Sequence, residues 1–259
     1  MNMKNLQFMN VEVKNKIAYV TLDRKPANAL VEPMYAEIAK VFYEINIMED
    51  VAVVVLRAAG KIFIAGNDIS DFPKFNNRVF TEEYIETIAR AATAIWNCKK
   101  PVIAAVQGAC IGAGFVLSML CDFIIAGEGV KFSLPEVNMG IPAAGCSALL
   151  GLPYHAAKYV ALTGEALTAE TLNQYGTVLK VVPKEDVWAE AEAFATGLTK
   201  KCYRAAGIHK TIMNTYLGSF RDRFIMEQHS FMDQMMGTHD FKEAAAAFLE
   251  KREPVFTGK

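Results

Sequence analysis

Pro101-Val102-Ile103-Ala104-Ala105-Val106-Gln107-Gly108-Ala109-Cys110-Ile111-Gly112-Ala113-Gly114 reads as a strand over 101–106 and a glycine-punctuated loop over 108–114. Phe115 to Leu120 then starts a helix. The same plan stands upstream. Val51-Ala52-Val53-Val54-Val55-Leu56 is a continuous apolar run rich in β-branched residues, which predicts a strand buried on both faces. It leads into a second loop, Lys61-Ile62-Phe63-Ile64-Ala65-Gly66-Asn67-Asp68-Ile69, and a long helix from about Thr81 to Asn97. Strand, loop and helix recurring in this order predict an α/β fold.

Outward from these two units, Val11–Val13 and Ile17–Leu22 read as short strands around a polar turn. A helix is expected from Val31 to Ile47, with Leu30, Met34, Ile38, Val41 and Ile45 along one face. Downstream, Phe123–Ala126, Lys131–Ser133 and Val178–Val182 are expected strands, and Ala143–Leu150 and Tyr154–Leu162 helices. From Val187 onward the pattern is helical, with Phe224, Phe231 and several methionines along it. Those apolar faces must be covered by the core, a substrate chain or another subunit.

A chain of 259 residues that is 53% hydrophobic can bury a large core. The 27 basic and 28 acidic residues nearly cancel, so nothing calls for a nucleic-acid partner or an anionic membrane. No run approaches the length of a membrane span, and MNMKNLQF has no apolar signal-peptide core. The five cysteines show no CxxC spacing and read as reduced thiols. A cytoplasmic location is the expectation. The four histidines lack metal-ligand spacing, and no metal is expected. Gly112-Ala113-Gly114 follows a strand, but Leu117 stands where a dinucleotide fingerprint needs its third glycine. Ser147 lacks the second glycine of a nucleophile elbow.

The two loops resemble the signatures of the crotonase (enoyl-CoA hydratase/isomerase) superfamily, written loosely as F-x-A-G-x-D-I/L and K-P-x-I/V-A-A-I/V-x-G-x-x-x-G-G/A-G. Lys25-Pro26-Ala27-Asn28-Ala29-Leu30 is similar to the family's early N-A-L/M segment. Phe132-Ser133-Leu134-Pro135-Glu136-Val137-Asn138-Met139-Gly140 is similar to its F-x-x-P-E-x-x-x-G segment, and Phe248 to Phe256 to its C-terminus. The resemblance is ordered and spans nearly the whole chain. It implies a spiral of ββα units over 1–198 and a helical trimerisation region over 199–259. It also implies an acyl-CoA substrate, no cofactor, and a homotrimer or dimer of trimers.

Residue by residue, the resemblance makes the backbone N–H groups of Asn67 and Ala113 an oxyanion hole for the thioester oxygen, and Glu136 the catalytic carboxylate. Alanine at position 113 suits this only where the backbone does not need positive φ. Lys25, Ala27, Ala29, Ala65, Gly66, Asp68, Ile69, Gly112 and Val116 are the expected CoA and substrate contacts, with Phe248 and Lys251 closing over them. Asp68 and Asp122 are also expected to hold loops through backbone hydrogen bonds. The acyl pocket is expected between Phe72 and Tyr84 and between Ile141 and Ala144.

Hydratases of the family carry a second glutamate where this chain has Val116. One carboxylate is enough to move a proton from C2 to C4, so the expected reaction is Δ3-Δ2 enoyl-CoA isomerisation through a dienolate. Enoyl-CoA hydration is the alternative, followed by thioester hydrolysis or decarboxylation, and then by non-catalytic acyl-CoA binding. Among apolar neighbours such as Phe115 and Val116, Glu136 should have a raised pKa.

Overall fold

The computed structural model describes residues 6–259, apart from the side chains of Phe72, Pro73 and Asn76. Part of the N-terminal reading and one end of the expected acyl pocket, Phe72, therefore lie outside the described residues. In chain order the regular elements are β1 (Met9–Lys14), β2 (Ile17–Leu22), α1 (Glu32–Ile47), β3 (Val53–Ala58), α2 (Arg78–Trp96), β4 (Val102–Val106), β5 (Cys110–Ile111) and α3 (Ala113–Met119). There follow β6 (Phe123–Gly127), β7 (Lys131–Ser133), α4 (Gly145–Gly151), α5 (Tyr154–Thr163), β8 (Leu167–Thr168), α6 (Ala169–Gln174) and β9 (Lys180–Val182). The chain ends in α7 (Val187–Thr199), α8 (Tyr203–Leu217), α9 (Phe220–Gln234) and α10 (His239–Glu250).

Six strands form the main sheet in the order β1-β2-β3-β4-β6-β9. Only β1 and β2 pair antiparallel; every later neighbour is parallel. Parallel strands need both faces covered, and alternate residues show how this is done. Val54, Leu56, Val102, Ala104 and Val106 join the large core with α1 and α2. Val53, Val55, Ile103 and Ala105 face the other way, onto Val187, Ala191 and Ala195 of α7. Two alanines at helical spacing let α7 lie close on the sheet. The unbroken apolar runs at 51–56 and 101–106 are therefore covered on both faces.

A second layer of short extended pieces crosses the ends of these strands. Leu30 bridges Asn67, Ile64 bridges Cys110, β5 pairs with β7, and β7 pairs with β8. From β2 to β6 each turn of the chain thus adds one strand to the main sheet and one short piece to this layer. The two glycine loops lie side by side in it. The expected strand over Val178–Val182 begins only at Lys180, because the amides of Thr177 and Val178 donate to Leu172 O at the end of α6.

Candidate functional site

The loop after β3 runs between two neighbours in the second layer. On one side Ala65 N donates to Ala27 O at 3.2 Å, Leu30 N to Gly66 O and Asp68 N to Leu30 O, both at 2.8 Å. On the other side Ile64 accepts from Ile111 N at 2.9 Å. Because the peptide is planar and trans, committing Gly66 O to Leu30 turns the Asn67 N–H the opposite way, toward the second glycine loop. Gly66 has φ +99°, a conformation that glycine adopts without strain.

In the second loop Gly112 has φ +55° and precedes the first residue of α3, Ala113. Ala113 has no positive φ, so alanine is unstrained there. A first helical residue has no intrahelical acceptor for its N–H. Among the described residues, neither the Asn67 nor the Ala113 amide has an acceptor within the chain. Both residues line one cavity of about 280 Å³.

Glu136 enters that cavity from a 3-10 turn at Pro135–Met139. A Cβ on Gly112 would lie 2.6 Å from its Oε1, so glycine at 112 gives the carboxylate its space. Its Oε2 is buried without a hydrogen-bond partner. Burial pushes the Glu136 carboxyl up from 4.5 to about 7, and the nearby charge of Glu227 pushes the same way. Val116 also lines the cavity, whereas Phe115 is fully buried in the core and does not reach it. Glu227, on α9, is half-buried and accepts from the amides that start α4, with Cys146 N at 3.3 Å.

The rest of the wall is mainly apolar. Ile69, Phe75, Tyr84, Ile85 and Ile88 come from the 3-10 segment Ile69–Asn76 and α2. Ile141, Ala143 and Ala144 come from the loop before α4, and Phe224, Gln228 and Phe231 from α9. Phe248 on α10 completes the rim, half exposed. The C-terminal helices thus contribute to the cavity: Phe248 as expected, and Phe224 and Phe231 from an apolar face whose cover the sequence left open between core, substrate chain and subunit.

Of the residues expected from sequence, Ala65, Gly66, Asn67, Ile69, Gly112, Ala113, Val116, Glu136 and Phe248 meet at this cavity. Lys25, Ala27, Ala29, Asp68 and Lys251 do not line it. Ala27 and Ala29 spend their carbonyls on Ala65 N and on the Arg24 side chain. Asp68 bonds Ser70 N and pairs with Arg24 at 2.6 Å, which accounts for a carboxyl held below its ordinary value. Lys25 and Lys251 are exposed. Asp122 bonds Val102 N at 2.7 Å and pairs with the buried Lys210 at 2.6 Å, a structural role. Tyr35 was missed. It sits on α1 one position after Met34, and nothing in the helical pattern separates it from core aromatics.

Among the described residues no group of three or more His, Cys, Asp or Glu could hold a metal ion, and no helix is long and apolar enough to cross a membrane.

The family model for enoyl-CoA hydratase/isomerase matches residues 12–259. The chain belongs to this family. It is thereby an enzyme of acyl-CoA thioesters. It is 34% identical over 256 residues to a probable mitochondrial enoyl-CoA hydratase of Dictyostelium discoideum, covering 96% of this chain and 90% of that one. It is 31% identical over 255 residues to a crotonyl-CoA hydratase of Syntrophomonas wolfei, covering 96% and 97%. Among solved structures, an enoyl-CoA hydratase from Mycobacterium avium subsp. paratuberculosis superposes with a TM-score of 0.85 at 27% identity, over 98% of this chain and 100% of that one. A methylmalonyl-CoA decarboxylase complexed with 2S-carboxypropyl-CoA does so with 0.85 at 26%, over 99% and 100%.

Proposed function

We propose that this family member works through a thioester enolate, with Glu136 as its single acid–base carboxylate and hydration of a 2-enoyl-CoA as its net reaction. The observation that carries the reading is the buried Glu136 carboxylate, near neutral in proton affinity, in the same cavity as two unengaged amides. In this reading the Asn67 and Ala113 N–H groups hold the thioester oxygen and stabilise the charge that develops on it. Such a donor contributes roughly 10²–10³ in rate. Glu136 takes a proton from water as the hydroxyl adds to C3, and the electron pair moves to the thioester oxygen. The same carboxyl then returns its proton to C2. One group serves both steps, and a pKa of about 7 suits both. The relatives named as hydratases, matched over nearly the full chain, favour hydration as the outcome.

Isomerisation is the second reading, and Val116 is the observation that favours it. An apolar residue in the cavity wall where hydratases of the family carry their other glutamate leaves one carboxylate to work with. That is enough to carry a proton from C2 to C4. Separate incubation with 2-hexenoyl-CoA and 3-hexenoyl-CoA in D₂O, followed by mass spectrometry, decides between them. Hydration adds the mass of heavy water to the 2-enoyl thioester. Isomerisation converts the 3-enoyl thioester without that gain. In either case Glu136→Gln should lower turnover by more than about a hundredfold; undiminished turnover would overturn the role of Glu136.

A homotrimer, alone or doubled, is part of the same proposal. Ile208, Ile212, Met213 and Tyr216 form an exposed apolar stripe along α8 that a neighbouring subunit would cover. Light scattering of the purified protein measures the mass directly. Five free cysteines fit a reducing compartment such as the cytoplasm.

A further inference from the structure

Tyr35 has no part in the chemistry above, yet it stands in the cavity wall. It is 1% exposed, and its hydroxyl donates to Asn67 Oδ1 at 2.5 Å. The ring lies edge-on against Tyr84 of α2, with centroids 6.3 Å apart and planes at 78°. Tyr84 is in turn edge-on to Phe75 at 5.2 Å and 75°. Aromatic contacts of this kind favour particular ring orientations. The packing of α1 on α2 thus holds the phenol where it reaches Asn67.

The Asn67 side chain starts one bond from the amide that the proposed oxyanion site uses. A free carboxamide oxygen there is an internal competitor. It can accept from the Asn67 or Ala113 N–H, or place its partial negative charge against the thioester oxygen. Neither main-chain bond at Gly66 or Asp68 restrains it, since those fix only the backbone. The Tyr35 O–H is the group that does.

We propose that Tyr35 is a positioning residue: by pinning the Asn67 side chain it keeps the two donor amides clear for the thioester oxygen. This rests on the oxyanion reading of Asn67 and Ala113. It sets apart a role for Tyr35 that acts through Asn67 and needs no contact between the phenol and the acyl group.

The probe is 2,4-hexadienoyl-CoA, a conjugated thioester whose ultraviolet band moves to longer wavelength when hydrogen bonds polarise its carbonyl. The wild-type protein should produce the shift. Tyr35→Phe keeps the ring and its stacking but loses the hydroxyl, and it should bind the probe with a smaller shift. Its turnover should fall roughly five- to tenfold, the loss of one neutral hydrogen bond, with KM nearly unchanged. Asn67→Ala keeps the backbone donor and removes the competitor, so it should retain the shift. In that background Tyr35→Phe should add no further loss. A full shift in Tyr35→Phe overturns the inference, as does a loss that persists undiminished in the Asn67→Ala background. Loss of the shift in Asn67→Ala alone overturns it too, and that variant still decides if Tyr35→Phe does not fold. Absence of any shift with the wild-type protein removes the oxyanion reading itself.

Discussion

Replacing Glu136 by glutamine should stabilise the protein above neutral pH while stopping turnover. Burial holds the Glu136 carboxyl at about 7 in the folded chain, against 4.5 for an ordinary glutamate. Between those values the folded state keeps a proton that the unfolded state has released. The stability associated with this group is therefore complete below about pH 4.5 and declines as pH rises through 7. At 1.36 kcal/mol per pH unit the decline amounts to about 3 kcal/mol by pH 8. Glutamine has nearly the same shape and does not titrate. The unfolding free energy of Glu136→Gln minus that of the wild type should therefore grow by roughly 2–3 kcal/mol between pH 5 and pH 8. Urea unfolding of both proteins at pH 5, 6, 7 and 8 measures it, and titrations common to the two cancel. A difference that stays constant with pH would refute the reasoning, because Glu136 would then titrate as an ordinary exposed carboxyl. With Glu136 as the proposed base, the same raised proton affinity would serve catalysis near neutrality, so stability and activity would oppose each other at this residue.

Gly112→Ala should lower turnover by at least about a hundredfold, because the added Cβ meets Glu136 Oε1 at 2.6 Å and φ is +55°; turnover kinetics together with circular dichroism separate this from unfolding. Glu227→Gln removes a negative charge that raises the Glu136 carboxyl, so the acidic limb of the kcat/KM profile against pH should move to lower pH. Lys210→Met leaves Asp122, already raised by burial and lowered by that lysine, without its cation. Urea unfolding at neutral pH should show a loss of about 3 kcal/mol, shrinking in acid as Asp122 takes up a proton.

The glycine loops and the Pro135-Glu136 pair were legible because each encodes a local backbone event in contiguous residues. Ile17–Leu22 and Lys131–Ser133 were read to the residue for the same reason. The two-residue strands β5 and β8 were not read, because so short a run carries no periodicity. Lys25 and Lys251, expected as CoA contacts, lie outside the cavity and are exposed. A motif places a residue beside the site in sequence, but not its side chain in the cavity. In the other direction, Tyr35, Ile85, Ile88, Phe224 and Gln228 lie on helices whose apolar faces look alike whether they meet core or cavity.

The sequence alone determined the order of the longer strands, loops and helices, the family, and the chemical type of the carboxylate at position 136. Each depends on neighbouring residues, and local sterics and hydrogen bonding act over that range. Tertiary structure decided what that carboxylate is. Val137 and Asn138, its neighbours in the same turn, are exposed to water. Glu136 is turned over Gly112 into a mainly apolar cavity closed by α2 and α9, which are far apart in the chain. Proton affinity follows the dielectric around a group, and that surrounding exists only once distant segments have packed.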